Sequence, residues 1–307
     1  MEIIGNTFFF DWEVSLMVWI QQHFGAVGGK LAVFFTEFGE PLILILVGGL
    51  IYWSIDKKFG KYLMANVFAV SLFCPMIKNI ARRRRPYMDN EAIQCIRPAE
   101  KGDINDVPLQ GFSFPSIHAA NTIVLYTRIG QYLKSKTLKI ICLVLPFLIG
   151  LSRVVLGVHY PTDVLCGWLI GALLMLLVDF MIKKTDDIKK VILILLIIAF
   201  PGFFFCKSTD FYTAYGLTLG MLLATVFEEK KVNFKPAKNK LFALLRVVAG
   251  GVIFLALSSL LKLPFPKELL SSATTAAFLI RMLRYAVISF ILFGIYPICF
   301  NKGKLDL

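Results

Sequence analysis

Charge is scarce in this chain. Only 17% of its 307 residues are Asp, Glu, Lys or Arg, against about a quarter in soluble domains, and that deficit excludes an ordinary water-soluble fold. Histidine is scarcer still: there are three, so any imidazole chemistry must come from His23, His118 or His159. Acids are outnumbered, with 20 Asp and Glu against 33 Lys and Arg, a net charge of +13. The six cysteines include no CxxC pair and no metal-type cluster, so neither a metal site nor any cofactor is expected. Met1 to Phe10 lack a basic n-region and a small-residue cleavage site, so no removable leader is expected there. Internal repeats and low-complexity segments are lacking too.

What fills the chain is apolar. Hydrophobic residues make up 57% of it, and the mean hydropathy is +0.72. Roughly 20 apolar residues cross a bilayer, and several such runs are present. The fold class expected is all-α, a polytopic transmembrane helical bundle of about nine spans. Those spans fall near 40–55, 62–80, 114–133, 140–157, 163–182, 191–206, 212–227, 241–261 and 272–299. Before them, Asp11, Glu13 and Gln21-Gln22 alternate with Trp12, Leu16, Val18, Trp19 and Ile20. That pattern fits an interfacial amphipathic helix with tryptophans at headgroup depth. The piece from Val27 to Phe38 is too brief and too polar to cross. Three divisions follow: an interfacial segment 1–39, a core 40–182 and additional C-terminal helices 183–307. Cys74, Cys142, Cys166 and Cys299 sit in apolar runs as packing residues; Cys95 and Cys206 are compatible with a disulfide.

The positive charge lies in short clusters between apolar runs, the pattern of loops against anionic lipid, so a nucleic-acid partner is not expected. Lys57/Lys58/Lys61, Lys134/Lys136/Lys139, Lys183/Lys184/Lys189/Lys190 and Lys230/Lys231/Lys235/Lys238/Lys240 fall on one side in this arrangement, with Lys302 and Lys304. By the positive-inside rule that side is cytoplasmic. Arg82 to Arg85 stand on the other side, against the rule. The polar stretch from roughly Arg82 to Gly111 reads as a loop or cap there.

Three pieces carry chemistry, all at joins on that second side. Lys78 and Arg85 are seven residues apart, two helical turns, so a helix would place them on one face. A lysine in an apolar helix is costly and is a functional candidate; the alternative is a lysine snorkelling beside a headgroup-binding arginine cluster. Pro115-Ser116-Ile117-His118 opens a helix whose free N–H groups suit an anion, or else simply caps it. Ser152-Arg153 ends one span, and His159 with Asp163 turns into the next. A carboxylate four residues after a histidine can fix its tautomer and make it a nucleophile or base; the alternative is Asp163 as a helix N-cap. Arg246, Arg281 and Arg284 interrupt the last apolar runs, either as structural residues or as a path for an anionic lipid. The Gly48-Gly49 and Gly250-Gly251 pairs suggest close helix contacts.

Lys78-x6-Arg85-Pro86, Pro115-Ser116-x-His118 and Ser152-Arg153-x5-His159-x3-Asp163 resemble the three-part signature of the type 2 phosphatidic acid phosphatase superfamily. Order and spacing fit over residues 40–182; Ile117 stands where glycine is common. The resemblance implies that His159 is the nucleophile and forms a phosphohistidine, that Asp163 orients it and that His118 is the general acid. It implies that Lys78, Arg85 and Arg153 hold the phosphate oxygens with Ser116 assisting, so that cations replace a metal ion. The expected function is hydrolysis of a lipid mono- or pyrophosphate: undecaprenyl pyrophosphate, phosphatidate, phosphatidylglycerol phosphate or a long-chain-base phosphate. The partners are the lipid substrate and the bilayer. The place is a bacterial plasma membrane with the site facing out. A phosphotransferase using an alcohol acceptor is one rival, and a lipid transporter or scramblase another, though the latter gives no reason for His118, His159 and Asp163.

Overall fold

A computed structural model of the protein describes residues 5–237 and 239–302, the side chains of Asn301 and Lys302 excepted. Lys238 and Lys304 of the lysine-bearing joins lie outside the described residues, as does the side chain of Lys302. In chain order the helices are α1 (Asp11–Glu37), α2 (Pro41–Leu50), α3 (Lys57–Ala81), α4 (Pro86–Asp89), α5 (Val107–Gln110), α6 (Ile117–Tyr132), α7 (Lys136–Val155) and α8 (Pro161–Thr185). They continue as α9 (Ile188–Ala199), α10 (Thr209–Phe227), α11 (Lys240–Leu260), α12 (Lys267–Ser271), α13 (Thr275–Phe290) and α14 (Ile298–Lys302). No strand occurs among the described residues, and one isolated bridge joins Asn6 to Arg83. All-helical order is what a bilayer imposes, because each helix satisfies its own backbone polar groups.

Among the described residues, five helices are long and apolar enough to cross: Lys57–Ala81, Lys136–Val155, Pro161–Thr185, Lys240–Leu260 and Thr275–Phe300. The pair Asp11–Glu37 and Pro41–Ile55, bent by 41°, makes a sixth if it is one span. The protein is therefore an integral membrane helical bundle, but length and apolarity do not support a count of nine. Helix α6 has 16 residues and buries Asn121, Thr122 and Arg128. Helix α9 has 12 before a 3-10 turn at Phe200–Phe204.

The chain divides into two compact units: Met1–Ile43 with Phe73–Leu176, and Leu44–Leu72 with Leu177–Leu307. In the first unit, α1 is broken at Gly25 (φ 47°) and packs on α7. Met17, Ile20 and Ala32 of α1 share a buried cluster with Ala119, Val154, Leu156, Val158, Tyr160 and Val164. The N-terminal helix is thus part of the wall around the loops that join α6, α7 and α8. Ser116 and Ser135 cap α6 and α7, and Pro161 opens α8 at the one position where a missing N–H costs nothing. Two glycines set the fit. Gly157 has φ +77°, and a Cβ there would lie 2.1 Å from Gln94 O. At Gly167 a Cβ would lie 2.6 Å from Ser116 O, so only glycine lets α8 approach the start of α6.

The second unit is built on α10 against α13, with Tyr52, Trp53, Phe234, Phe293 and Phe300 in its core. Both glycine pairs serve it: a Cβ on Gly49 or on Gly250 would lie 2.5 Å from the Trp53 ring. Arg246 is structural. Its Nη1 donates to Trp53 O (2.7 Å) and Lys235 O (3.0 Å), and its guanidinium lies 4.1 Å from the Phe300 ring centre. Arg284 donates to Ser258 O (3.1 Å). Lys57 meets Glu228 (2.9 Å), Lys61 meets Glu229 (2.8 Å) and Lys189 meets Glu229 (2.6 Å). Three of the lysine-bearing joins therefore converge at one end of this unit. Cys95 and Cys206 are both free thiols, so the disulfide that the sequence allowed is not formed.

Candidate active site

All seven residues singled out from the sequence lie in the first unit, and six of them are buried. They do not reach the site in the way that the spacing suggested. Lys78 and Arg85 are not on one helical face, because α3 ends at Ala81 and Arg82 adopts a left-handed φ of 52°. The chain then runs beside Asn6, with Asn6 N donating to Arg82 O (2.7 Å) and Arg84 N to Asn6 O (3.0 Å). Pro86 then opens the short helix α4 after an extended Arg85. The two cations nonetheless converge from opposite sides of that turn. Lys78 Nζ donates to Phe112 O and, at 3.2 Å, to Ser113 O. Arg85 donates to Gln110 O (2.7 Å), Gly111 O (3.1 Å) and Val158 O (3.0 Å). Lys78 thus grips the strip just before α6, and Arg85 grips the end of the 82–111 loop and the turn before α8.

His159 ends the tight turn between α7 and α8. Its Nδ1 lies 3.4 Å from Asp163 Oδ2, longer than an N–H···O hydrogen bond but with the carboxylate facing that nitrogen. Burial pushes this imidazole well below its ordinary range, and the charges of Lys78, Arg85 and Arg153 push the same way. The ring is therefore neutral near pH 7. Cations of the first and third sequence pieces thus act on one imidazole, and Ser116 N, which donates to Asp163 O (2.9 Å), joins the middle piece to the third. Asp163 is not the N-cap of α8. It stands two residues inside the helix, where Oδ2 accepts Tyr160 N (2.8 Å) and Oδ1 accepts Arg83 Nη1 (2.7 Å).

His118, in the first turn of α6, has Nε2 3.5 Å from Glu40 Oε1. Arg153 Nη1 donates to Thr36 Oγ1 (2.7 Å). Ser116 Oγ accepts from Ala119 N (3.5 Å), while Ser116 N donates to Asp163 O (2.9 Å), tying the start of α6 to α8. Here the serine caps the helix. Among the described residues no group of three or more His, Cys, Asp or Glu is placed to hold a metal ion. His23 is exposed and bonds only its own turn, at Trp19 O (2.8 Å).

Sequence reasoning missed Glu13, Thr36, Glu40, Arg83 and Thr162. Glu13 and Arg83 are buried and ion-paired at 2.7 Å, and Glu40 stands beside both His118 and Arg97. A signal existed for the two acids, because a carboxylate within or beside an apolar run is costly unless it is paired. Thr36 and Thr162 gave none, since a threonine in such a run is ordinary.

Comparison with known proteins places the chain in a family. The model of the PAP2 superfamily matches residues 59–186, which span Lys78 to Asp163. The transmembrane extension of PAP2 superfamily phosphatases matches residues 212–306. A decaprenylphosphoryl-5-phosphoribose phosphatase of Mycobacterium tuberculosis (strain ATCC 25618 / H37Rv) is 33% identical over 176 residues, 54% of this chain and 89% of its own length. Phosphatidylglycerophosphatase B of Bacillus subtilis (strain 168) is 32% identical over 161 residues, 50% of this chain and 70% of its own. An undecaprenyl-diphosphatase of Sulfolobus acidocaldarius is 26% identical over 193 residues, 62% and 88%. No solved structure matches. With the motif pieces in one buried site and a third-identical relative matched over most of its length, this chain belongs to the PAP2 superfamily and is one of its integral membrane phosphatases.

Proposed function

We propose that the protein hydrolyses a lipid mono- or pyrophosphate at the outer face of a bacterial plasma membrane, through a phosphohistidine and without a metal ion. The observation that carries this is the placement of Asp163 Oδ2 3.4 Å from His159 Nδ1 on a buried, neutral imidazole. A carboxylate on that side favours the ring proton on Nδ1, which supports a free Nε2 lone pair for phosphorus. Nε2 attacks the terminal phosphorus, and the P–O bond to the leaving oxygen breaks as a protonated His118 gives that oxygen its proton. The leaving oxygen is that of the lipid alcohol in a monophosphate, or of the lipid monophosphate in a pyrophosphate. Water then attacks the phosphohistidine, His118 takes its proton, and His159 is released. Lys78, Arg85 and Arg153 supply the positive charge that stabilises the equatorial oxygens, in place of the magnesium used by other phosphoryl-transfer sites.

The mycobacterial and archaeal relatives are named for polyprenyl-linked phosphates, and the Bacillus relative for a phosphatidylglycerol phosphate. A polyprenyl pyrophosphate is our preferred substrate, because a site at helix ends can take its headgroup while the tail stays in the bilayer. Catalysis is assigned to residues 40–182, with 1–39 completing the wall and 183–307 as additional helices. The test is phosphate release by purified protein from a panel of lipid phosphates. His159→Ala should lower kcat by about 10⁴-fold or more, and excess EDTA should leave the wild-type rate unchanged. Substantial turnover by folded His159→Ala protein, or strict dependence on Mg²⁺, overturns the mechanism.

A further inference from the structure

Glu13 of α1 has no exposed surface, and each of its carboxylate oxygens is committed. Oε1 accepts Thr162 N (3.0 Å) and Thr162 Oγ1 (2.5 Å); Oε2 accepts Phe10 N (3.0 Å) and Arg83 Nη2 (2.7 Å). Arg83 is 1% exposed. Its Nε donates to Phe8 O (2.8 Å), and its Nη1 to Thr162 Oγ1 (2.7 Å) and Asp163 Oδ1 (2.7 Å). The guanidinium carbon lies 4.0 Å from the centre of the Tyr160 ring. The row Glu13, Arg83, Asp163, His159 is therefore continuous, minus, plus, minus, then imidazole. Such a buried row is expensive to desolvate and no more stable than an apolar packing of the same volume. Capping α8 alone would need only a serine or asparagine.

The geometry shows what the row controls. Arg83 takes Oδ1 of Asp163, which leaves Oδ2 to face His159 Nδ1. We propose that Glu13 and Arg83 are positioning residues for the reaction: anchored by the α1 carboxylate, Arg83 fixes which Asp163 oxygen meets His159 and keeps that carboxylate charged. This rests on reading His159 as the nucleophile and Asp163 as its orienting partner. Charge decides the consequences. Around Asp163 stand Arg83, Lys78 from α3, His159 and Tyr160 from the turn, Glu13 from α1 and Cys166 on α8 itself. Neutralising Arg83 leaves Glu13 and Asp163 as two buried carboxylates without the cation between them, and like charges in one site cannot both stay ionised. Neutralising Glu13 as well removes that repulsion.

The experiment measures kcat, KM and the pH profile of the full-length protein on one lipid phosphate. Arg83→Gln should lower kcat about 10–100-fold with KM little changed, and move the acid limb of kcat upward by about a pH unit or more. Arg83→Gln with Glu13→Gln should bring that limb back at least halfway, an improvement that a merely structural pair would not show. An unmoved limb in Arg83→Gln overturns the proposal, and so does a double variant no better than the single one. If Arg83→Gln does not purify as folded protein, Glu13→Gln decides: a lowered kcat at unchanged KM supports the role, and an unchanged kcat overturns it. His159→Ala, run in parallel, separates the two levels. Activity there defeats the nucleophile reading itself, whereas a dead His159→Ala beside an ordinary Arg83→Gln profile defeats only the positioning role.

Discussion

Asp163→Asn is the most informative single change, because it keeps the shape and removes the charge. In the native protein Oδ1 accepts from Arg83 at 2.7 Å, and Oδ2 accepts from Tyr160 N at 2.8 Å while facing His159 Nδ1 at 3.4 Å. An amide has one acceptor oxygen, so it must give up one of these sides. If the oxygen stays on Arg83, the NH₂ group points at two N–H donors and pushes the imidazole proton to Nε2, the atom that must attack. If the oxygen turns to His159, Arg83 loses one of its two carboxylate partners and faces an NH₂ group inside a dry site. Breaking a buried ion pair costs about 3–5 kcal/mol of stability. Losing the correct tautomer costs about 10⁴-fold in kcat where an aspartate holds a catalytic histidine, which is about 5.4 kcal/mol of barrier. The assay is rapid-quench phosphate release from a lipid phosphate, with thermal unfolding of the same preparation in detergent. The phosphohistidine burst should vanish and the midpoint should fall. A folded Asp163→Asn protein within tenfold of the wild-type kcat would refute the assignment of Asp163 to the His159 tautomer.

Three further outcomes are expected. Because burial and neighbouring cations hold the folded His159 well below its ordinary value, the unfolded chain binds a proton near pH 6.5 that the folded one refuses; stability should fall as pH drops from about 7.5 to 5.5, less steeply in His159→Gln, and equal slopes count against this. Gly157→Ala forces a Cβ to 2.1 Å from Gln94 O at φ +77°; unfolding should occur earlier by at least about 1–3 kcal/mol, and an unchanged midpoint would show that the turn yields. In cells, a membrane-impermeant thiol reagent should label a cysteine placed at Asn90 but not one placed at Thr185; the reverse pattern would put the site in the cytoplasm.

The helical membrane fold was legible because composition and run length are bulk properties that a bilayer enforces residue by residue. The members of the candidate site could be proposed because histidine is so rare in this chain that His118 and His159 at polar joins stood out. Geometry was less legible. A two-turn spacing placed Lys78 and Arg85 on one helix, yet Arg82 leaves the helical region and Asn6 pairs with the strip that follows. That contact is between residues more than seventy positions apart, beyond any local pattern. The N-cap reading of Asp163 failed for a similar reason. Pro161 can itself open α8, which moves the carboxylate inward to meet Tyr160 N and Arg83. Glu13 looked like the polar face of a surface helix, and only packing against α7 and α8 turns it inward.

The position of α1 also bears on why, in the proposed orientation, Arg82 to Arg85 would stand against the charge rule. Arg83 is paired with Glu13 and Asp163, Arg85 is held in place by the carbonyls of Gln110, Gly111 and Val158, and Arg84 meets Asp89 at 3.2 Å. Arg82 bonds its own turn at Asn79 O (3.0 Å). A cation fixed to protein acceptors carries little topological signal, since the positive-inside bias acts on charges that would otherwise meet the membrane potential and anionic lipid. The lysines at 57, 61 and 189 also find carboxylates, whereas Lys183, Lys184, Lys230 and Lys231 form no ion pair among the described residues, although Asp186-Asp187 and Glu228-Glu229 stand near them in the chain. Orientation should therefore follow those four lysines. Replacing Arg82 and Arg84 with glutamine should leave the labelling of Asn90→Cys and Thr185→Cys as it was. If that replacement inverts the pattern, the arginines were setting the topology, and the argument for an outward-facing site fails with it.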